Sequence, residues 1–183
     1  ALPTISQAQA PLPTGKFITP RGAHVAVGSL PANMLPVLEG RFVVVSNAGF
    51  RQALTVINTA AGRIASRIEL NATRGGVKEG LYYGLAAGAK TPDGQTIWVS
   101  RGSEERVHAY TVAPDGSLKD KGTSVAVPRG GGPKARRDVV AGVALSSDGS
   151  RLYAAGNMTS RDTAMKGCLS IVETGTGRAI HSV

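Results

Sequence analysis

The chain has 183 residues, of which 42% are hydrophobic and 4% are aromatic. This length allows one domain with a substantial core, and the hydrophobic content excludes a chain that is disordered throughout. A single cysteine excludes an internal disulfide framework and a cysteine-rich metal site, and the short apolar runs predict no transmembrane helix. The formal net charge of +9 permits an anionic partner without identifying one.

The amino-terminal region, residues 1–22, is predicted to be an extended arm. Prolines at positions 3, 11, 13 and 20 interrupt any helical or strand period there. The whole chain contains 24 glycines and 10 prolines, which is a high proportion for a helical protein. The composition therefore favours a fold rich in turns.

Three segments of the chain repeat one pattern, which is a turn glycine, one or two polar residues and a short apolar run. They begin at Gly40, Gly94 and Gly149, which are 54 and 55 residues apart. Acidic turns precede the second and third of these glycines, at 91–94 and 147–149. Asp-Gly favours a tight hairpin because glycine adopts positive φ at little cost. The spacing indicates a repeat architecture.

The later part of each unit also repeats. Residues 54–64 match residues 169–179, and residues 107–118 are their counterpart in the second unit. Their period-two alternation predicts half-buried strands, and further strands are predicted at 81–89 and 139–146. No segment shows sustained helical periodicity.

Each unit is therefore predicted to hold about four short antiparallel strands joined by Gly and Asp turns. This is the pattern of a β-propeller blade. We predict an all-β fold, a partial β-propeller over residues 23–183 with four-stranded blades at about 29–72, 77–127 and 135–183. Three blades are too few to close a ring.

The repeats resemble those of the YVTN/YncE-like β-propeller family of bacterial periplasmic and cell-surface proteins. The segments that carry this resemblance are 54–64, 91–100, 147–156 and 169–180. Residues 12–20, 27–33 and 82–85 more narrowly resemble the amino-terminal part of a subgroup in which the propeller precedes an alkaline-phosphatase-superfamily domain. The resemblance implies a ring of about seven blades and a periplasmic or secreted bacterial protein.

The expected partners are the remaining blades of the same propeller, in a second chain or in a segment missing from this one. Residues 23–28 are predicted to be a strand that closes the last blade, as the first strand often does in such rings. The apolar run 179–183 stops without a partner strand, which is a liability that another strand would remove. The alternative is a six-bladed ring built from two copies of this chain.

No catalytic constellation is apparent in the sequence. The histidines, at positions 24, 108 and 181, are far apart and lie beside no carboxylate cluster, so we predict no metal and no cofactor. His108 is predicted to face solvent, and Cys168 is predicted to be a buried thiol. Most carboxylates, such as Asp93, Asp115 and Asp148, precede a turn glycine and are expected to hydrogen-bond within their own turn.

The loop at 129–138 is the strongest candidate for ligand binding. It carries Arg129, Lys134, Arg136 and Arg137 beside Asp138. Guanidinium groups among flexible glycines suit phosphate or carboxylate, although the loop lacks the Gly-Lys-Ser/Thr ending of a P-loop. A solvated loop without a ligand is the alternative.

A second set of candidate residues follows from propeller geometry. Loops that enter the innermost strands lie near the central channel, where ligands commonly bind. The ligand-binding residues predicted at this channel mouth are Asn33, Lys78, Glu79, Tyr82, Tyr83, Arg136, Arg137 and Asp138. Packing of the two tyrosines within the ring is the alternative.

Three functions remain open. The favoured one is a non-catalytic scaffold or binding segment of an exported bacterial protein, accessory to a phosphoesterase domain whose activity would lie in a missing carboxy-terminal part. The second is a lactonase-like propeller enzyme with its site at the channel mouth. The third is anion or nucleic-acid binding through the loop at 129–138.

Overall fold

The computed structural model describes residues 24–71, 80–102, 104–128, 138–158 and 167–182, with short pieces at 10–11, 14–15, 17–18, 73–74 and 77–78. Two pairs of two-residue strands form short antiparallel ladders. The pairs are β1 (Ala10–Pro11) with β2 (Phe17–Ile18), and β7 (Thr73–Arg74) with β8 (Val77–Lys78). The first pair lies within the predicted arm.

Three four-stranded antiparallel sheets make up the rest of the fold. The first blade contains β3 (Pro31–Val37), β4 (Phe42–Asn47), β5 (Ala53–Asn58) and β6 (Arg63–Glu69). The second contains β9 (Leu85–Thr91), β10 (Gly94–Ser100), β11 (Arg106–Val112) and β12 (Leu118–Ala126). The third contains β13 (Asp138–Leu145), β14 (Arg151–Met158), β15 (Cys168–Glu173) and β16 (Ala179–Ser182). The predicted all-β fold of four-stranded antiparallel blades is confirmed.

Each sheet is a meander in which neighbouring strands of the sequence pair with one another. The first strands of the blades, β3, β9 and β13, lie side by side as the innermost strands. No helix long and apolar enough to cross a membrane occurs in the part of the chain that the structure describes.

Two of the turn glycines are required by close approaches as well as by backbone conformation. Gly94 has a φ of 134°, and a Cβ atom there would lie 2.2 Å from the carbonyl oxygen of Val112. Gly116 has a φ of 85°, and its Cβ would lie 2.4 Å from the ring of Phe42 in the first blade. The turn at Gly116 therefore also helps to fit the second blade against the first.

The turn of the first blade has Glu39 before its glycine where the later repeats have Asp, and it adopts a different conformation. Leu38, Glu39 and Gly40 all have positive φ, at 50°, 61° and 78°. The Leu38 amide donates to the Gln95 side chain at 2.7 Å, and the Glu39 carboxylate pairs with Lys90. The second blade therefore holds this strained turn in place.

Two apolar cores join the three blades. The first, which includes Val44, Leu54, Ile97 and Val99, lies between the first and second blades. The second, which includes Trp98, Val107, Ala109, Leu152 and Val172, lies between the second and third blades. Each blade thus has a front face toward the preceding blade and a back face toward the following blade, and stacking of these faces is what stabilises the fold.

Among the described residues, no blade lies against the front face of the first blade. This face forms a groove of about 420 Å³, lined mainly by apolar residues that include Val25, Val27, Met34, Val43 and Ile57. Residues 24–28, for which we predicted a strand, belong to no sheet and lie along this groove. The Val27 carbonyl accepts a 2.6 Å hydrogen bond from Arg67. The proposed role of this segment in closing a ring stays a prediction.

Candidate functional site

The innermost strands all begin at one end of the stacked blades, and we call this end the mouth. Antiparallel pairing places the ends of β4, β10 and β14 at the mouth as well. The loop residues 48–52, 80–84, 101–102 and 104–105 therefore share this end.

Asn33 and Tyr83 connect the first and second blades at the mouth. The Asn33 side-chain amide donates to the Tyr83 carbonyl at 2.8 Å, and its oxygen accepts from the amide of Met34 at 2.8 Å. Both polar groups of Asn33 are thereby used in holding the backbone. This arrangement fixes the position of Tyr83 relative to β3.

The rings of Tyr82 and Tyr83 are adjacent, with centroids 5.0 Å apart and planes tilted by 43°. Tyr83 remains 43% exposed. A Cβ atom on Gly142 of β13 would lie 3.8 Å from the Tyr83 hydroxyl, so this ring reaches the third blade. Tyr83 therefore lies where the three innermost strands meet.

A buried polar cluster holds the chain just before these tyrosines. Arg101, which is 2% exposed, donates to the Gly80 carbonyl at 2.8 Å and to the Tyr110 hydroxyl at 2.8 Å. It also pairs with the Glu104 carboxylate at 2.7 Å. The same carboxylate oxygen accepts from the Gly80 amide at 3.0 Å. Both backbone groups of Gly80 are thus bound by one ion pair.

Burial governs the ionisation of this cluster. Removal from water raises the pKa of Tyr110 to about 12, so this hydroxyl stays neutral and available to Arg101. Burial also lowers the pKa of His108, and the nearby Arg101 charge lowers it further. The His108 Nε2 atom is buried 3.5 Å from a Glu104 oxygen and has no hydrogen-bond partner among the described residues.

The prediction that His108 faces solvent is wrong, because its side chain is only 19% exposed. His108 and Tyr110 lie on the same face of β11, and Tyr110 packs into the core between the first and second blades. Alternation along a strand indicates exposure only when one face of the sheet is open. Both faces of the second blade are covered by neighbouring blades.

Of the other predicted ligand-binding residues, the structure describes only Lys78 and Asp138. Lys78 belongs to β8, and Asp138 begins β13 opposite Met158. The predicted residues that lie outside the described part of the chain are Glu79, Arg129, Lys134, Arg136 and Arg137. Their participation in a ligand site stays a prediction.

Two of the turn carboxylates behave as predicted. Asp115 accepts from the amide of Ser117 at 2.8 Å, and Asp148 accepts from the amide of Ser150 at 3.0 Å. Hydrogen bonds from the Ser146 hydroxyl and from Ser150 lower the pKa of Asp148 to about 2. These carboxylates are occupied in maintaining turns.

Among the described residues, no three His, Cys, Asp or Glu side chains converge. Cys168 is buried as predicted. Sequence reasoning missed Arg101 and Glu104. The signal that was present is a pair of opposite charges three residues apart, directly after an apolar strand.

No protein-family model matches the chain, and no curated protein does. Solved structures match it with low sequence identity. The chain is similar to the Cps50 (Swd1) β-propeller domain of Myceliophteria thermophila, with a TM-score of 0.55, 12% identity, and coverage of 84% of this chain and 40% of that one. It is similar to U3-55K, with a TM-score of 0.57, 9% identity, and coverage of 86% and 40%.

A third similar structure is a chain of the mitotic checkpoint complex, with a TM-score of 0.54, 12% identity, and coverage of 84% of this chain and 38% of that one. At these identities the similarity shows the β-propeller fold alone. The chain spans about two fifths of the length of these three neighbours.

Proposed function

We propose that this chain is a non-catalytic β-propeller segment that binds other polypeptides and stacks against further blades. The observation that carries the proposal is the front face of the first blade. Val43 and Ile57 lie opposite each other on this face, in β4 and β5. The equivalent pair in the second blade is Ile97 and Tyr110. Those two residues are fully buried by the preceding blade.

The same comparison extends to the third blade, where Leu152 and Val172 form the equivalent pair and are also fully buried. An equivalent apolar face on the first blade is therefore suited to receive the back face of another blade. One solved neighbour belongs to an assembly, the mitotic checkpoint complex. That similarity is consistent with a scaffold role.

The stacking proposal is tested by measuring the mass of the chain in solution by light scattering over a range of concentrations. We expect association of the wild type, because open apolar faces are removed from water when they stack. Ile57→Asp should weaken this association, whereas Ala60→Asp in the adjacent exposed turn should not. A wild type that remains monomeric and binds no hydrophobic dye would contradict the proposal.

We further propose that the chain belongs to the YVTN/YncE-like group and works beside a phosphoesterase domain in a periplasmic or secreted bacterial protein. The support is the repeat resemblance at residues such as 91–100 and 147–156. Localisation of the tagged full-length protein by cell fractionation tests export. Hydrolysis of p-nitrophenyl phosphate by that protein, with none by residues 1–183 alone, tests the domain arrangement.

Anion binding by the loop at 129–138 is a separate proposal, supported by its four basic residues beside one Asp. Binding of a fluorescent polyanion such as heparin should weaken steeply with salt. The double substitution of Arg136 and Arg137 by alanine should flatten this salt dependence. An unchanged salt slope would contradict a role for the loop.

A further inference from the structure

Phe50 is exposed to an extent that a structural role does not explain. Its side chain is 94% exposed at the mouth end of the first blade, in a chain with only three phenylalanines. Phe42, by contrast, is buried between the first and second blades. Large exposed aromatic side chains on a fixed backbone are typical of sites that anchor a partner protein.

The backbone beneath Phe50 is held by close contacts. A Cβ atom on Gly49 would lie 2.3 Å from the Ser29 hydroxyl, so the segments at 28–30 and 48–50 are in contact. The Ala48 amide donates to the Leu30 carbonyl at 3.0 Å. Leu30 has a φ of 52° and an exposed side chain. Leu30 and Phe50 therefore extend from two backbone segments that contact each other, and the backbone at Leu30 is strained.

Among the described residues around Phe50, Arg51 is the cation whose charge is not compensated. Phe50, Arg51, Glu69 and Asn71 line a concave site of about 570 Å³. Glu69 is occupied, because Arg67 pairs with one of its oxygens at 2.6 Å and Asn71 donates to the other at 3.1 Å. Arg51 is exposed and forms no ion pair or side-chain hydrogen bond within the described part of the chain.

This region is continuous with the mouth. The Gln52 amide donates to the Asn71 side chain at 3.0 Å, and the Gln52 side chain accepts from the Leu81 amide at 2.6 Å. Gln52 thus ties the loop that carries Phe50 to the segment that leads into Tyr82 and Tyr83. A polypeptide that lies across the mouth would pass from one set of exposed side chains to the other.

We propose that Leu30, Phe50 and Arg51 form a docking surface for an acidic polypeptide segment that carries an apolar side chain. The apolar pair supplies the anchor, and Arg51 selects a carboxylate because its charge is unpaired among the described residues. This proposal rests on the binding role proposed above. It adds the place and the chemical class of the partner.

The test uses a random peptide library displayed on phage and selected on the immobilised 183-residue chain. We expect the selected peptides to combine acidic and apolar residues. When resynthesised, they should bind Phe50→Ala and Arg51→Glu at least about tenfold more weakly than the wild type. Selection on Arg51→Glu should instead enrich basic peptides, because the charge that the peptide meets has been reversed.

Ile64 and Arg63, on β6 at the opposite end of the first blade, are the matched controls, since both are exposed. Ile64→Ala and Arg63→Glu should leave peptide binding unchanged. The inference is overturned if the library yields no binder, or if the selected peptides bind Phe50→Ala and Arg51→Glu as tightly as the wild type. The stacking proposal is tested separately, by whether Ile57→Asp weakens association in light scattering.

Discussion

Replacement of Arg101 by methionine is the most direct test of whether the buried polar cluster stabilises the loops at the mouth. Methionine keeps much of the side-chain volume but removes the charge and all the donors. The change leaves Glu104 without its 2.7 Å ion pair, and it deprives the Gly80 carbonyl and the Tyr110 hydroxyl of their 2.8 Å donors. Arg101 is 2% exposed, so water cannot readily replace these contacts.

Breaking a buried ion pair by removing one partner costs about 3–5 kcal/mol, because the remaining charge stays buried and uncompensated. Total stabilities of about 5–15 kcal/mol make this a large fraction of the free energy of unfolding. With a urea m-value of about 2 kcal/mol/M, we expect the midpoint of Arg101→Met to fall by about 2 M. The assay is urea unfolding followed by the fluorescence of Trp98.

The matched control is Arg178→Met. Arg178 lies 3.9 Å from Glu173 on the surface and is largely exposed, so its loss should change stability by less than about 0.5 kcal/mol. Tyr110→Phe, which removes only one acceptor, should cost about 1–3 kcal/mol. If Arg101→Met lowers the free energy of unfolding as little as Arg178→Met does, the conclusion that this cluster stabilises the mouth loops is refuted.

Two further predictions follow from the same region. The lowered pKa of His108 means that the folded state binds a proton less readily than the unfolded state, so stability should fall as the pH drops below about 6.5. Urea midpoints measured at several pH values should show this loss, and His108→Gln should reduce it. A Cβ atom on Gly84 would lie 2.3 Å from the Ala141 carbonyl oxygen, so Gly84→Ala should cost about 1–3 kcal/mol in thermal or urea unfolding. Gly175→Ala, which meets nothing within 4 Å, should change stability little.

The strands and turns could be predicted because their determinants are local. The glycines at 94 and 149 and the alternating runs after them correspond to β10 and β14. The start of β9 was predicted less accurately. We predicted a strand from residue 81, and the observed strand begins at Leu85. Leu81 is nevertheless buried in the first inter-blade core, so its apolar character reports burial and not strand conformation.

The polar cluster at the mouth could not be predicted from sequence spacing. Arg101 contacts Gly80, which is 21 residues away, and Asn33 contacts Tyr83, which is 50 residues away. Such contacts depend on how two blades are stacked, and no local pattern encodes that. Propeller topology predicts only that these loops share one end of the blades.

The open faces show why a repeat sequence predicts the blade better than it predicts the ring. Apolar residues alternate on the front face of the first blade as they do on the covered front face of the second blade. Val43 and Ile57 occupy the positions that Ile97 and Tyr110 occupy there. An apolar residue at such a position lets the blade stack on a neighbouring blade, but it does not specify which blade that is. The alternation was therefore sufficient to predict three blades.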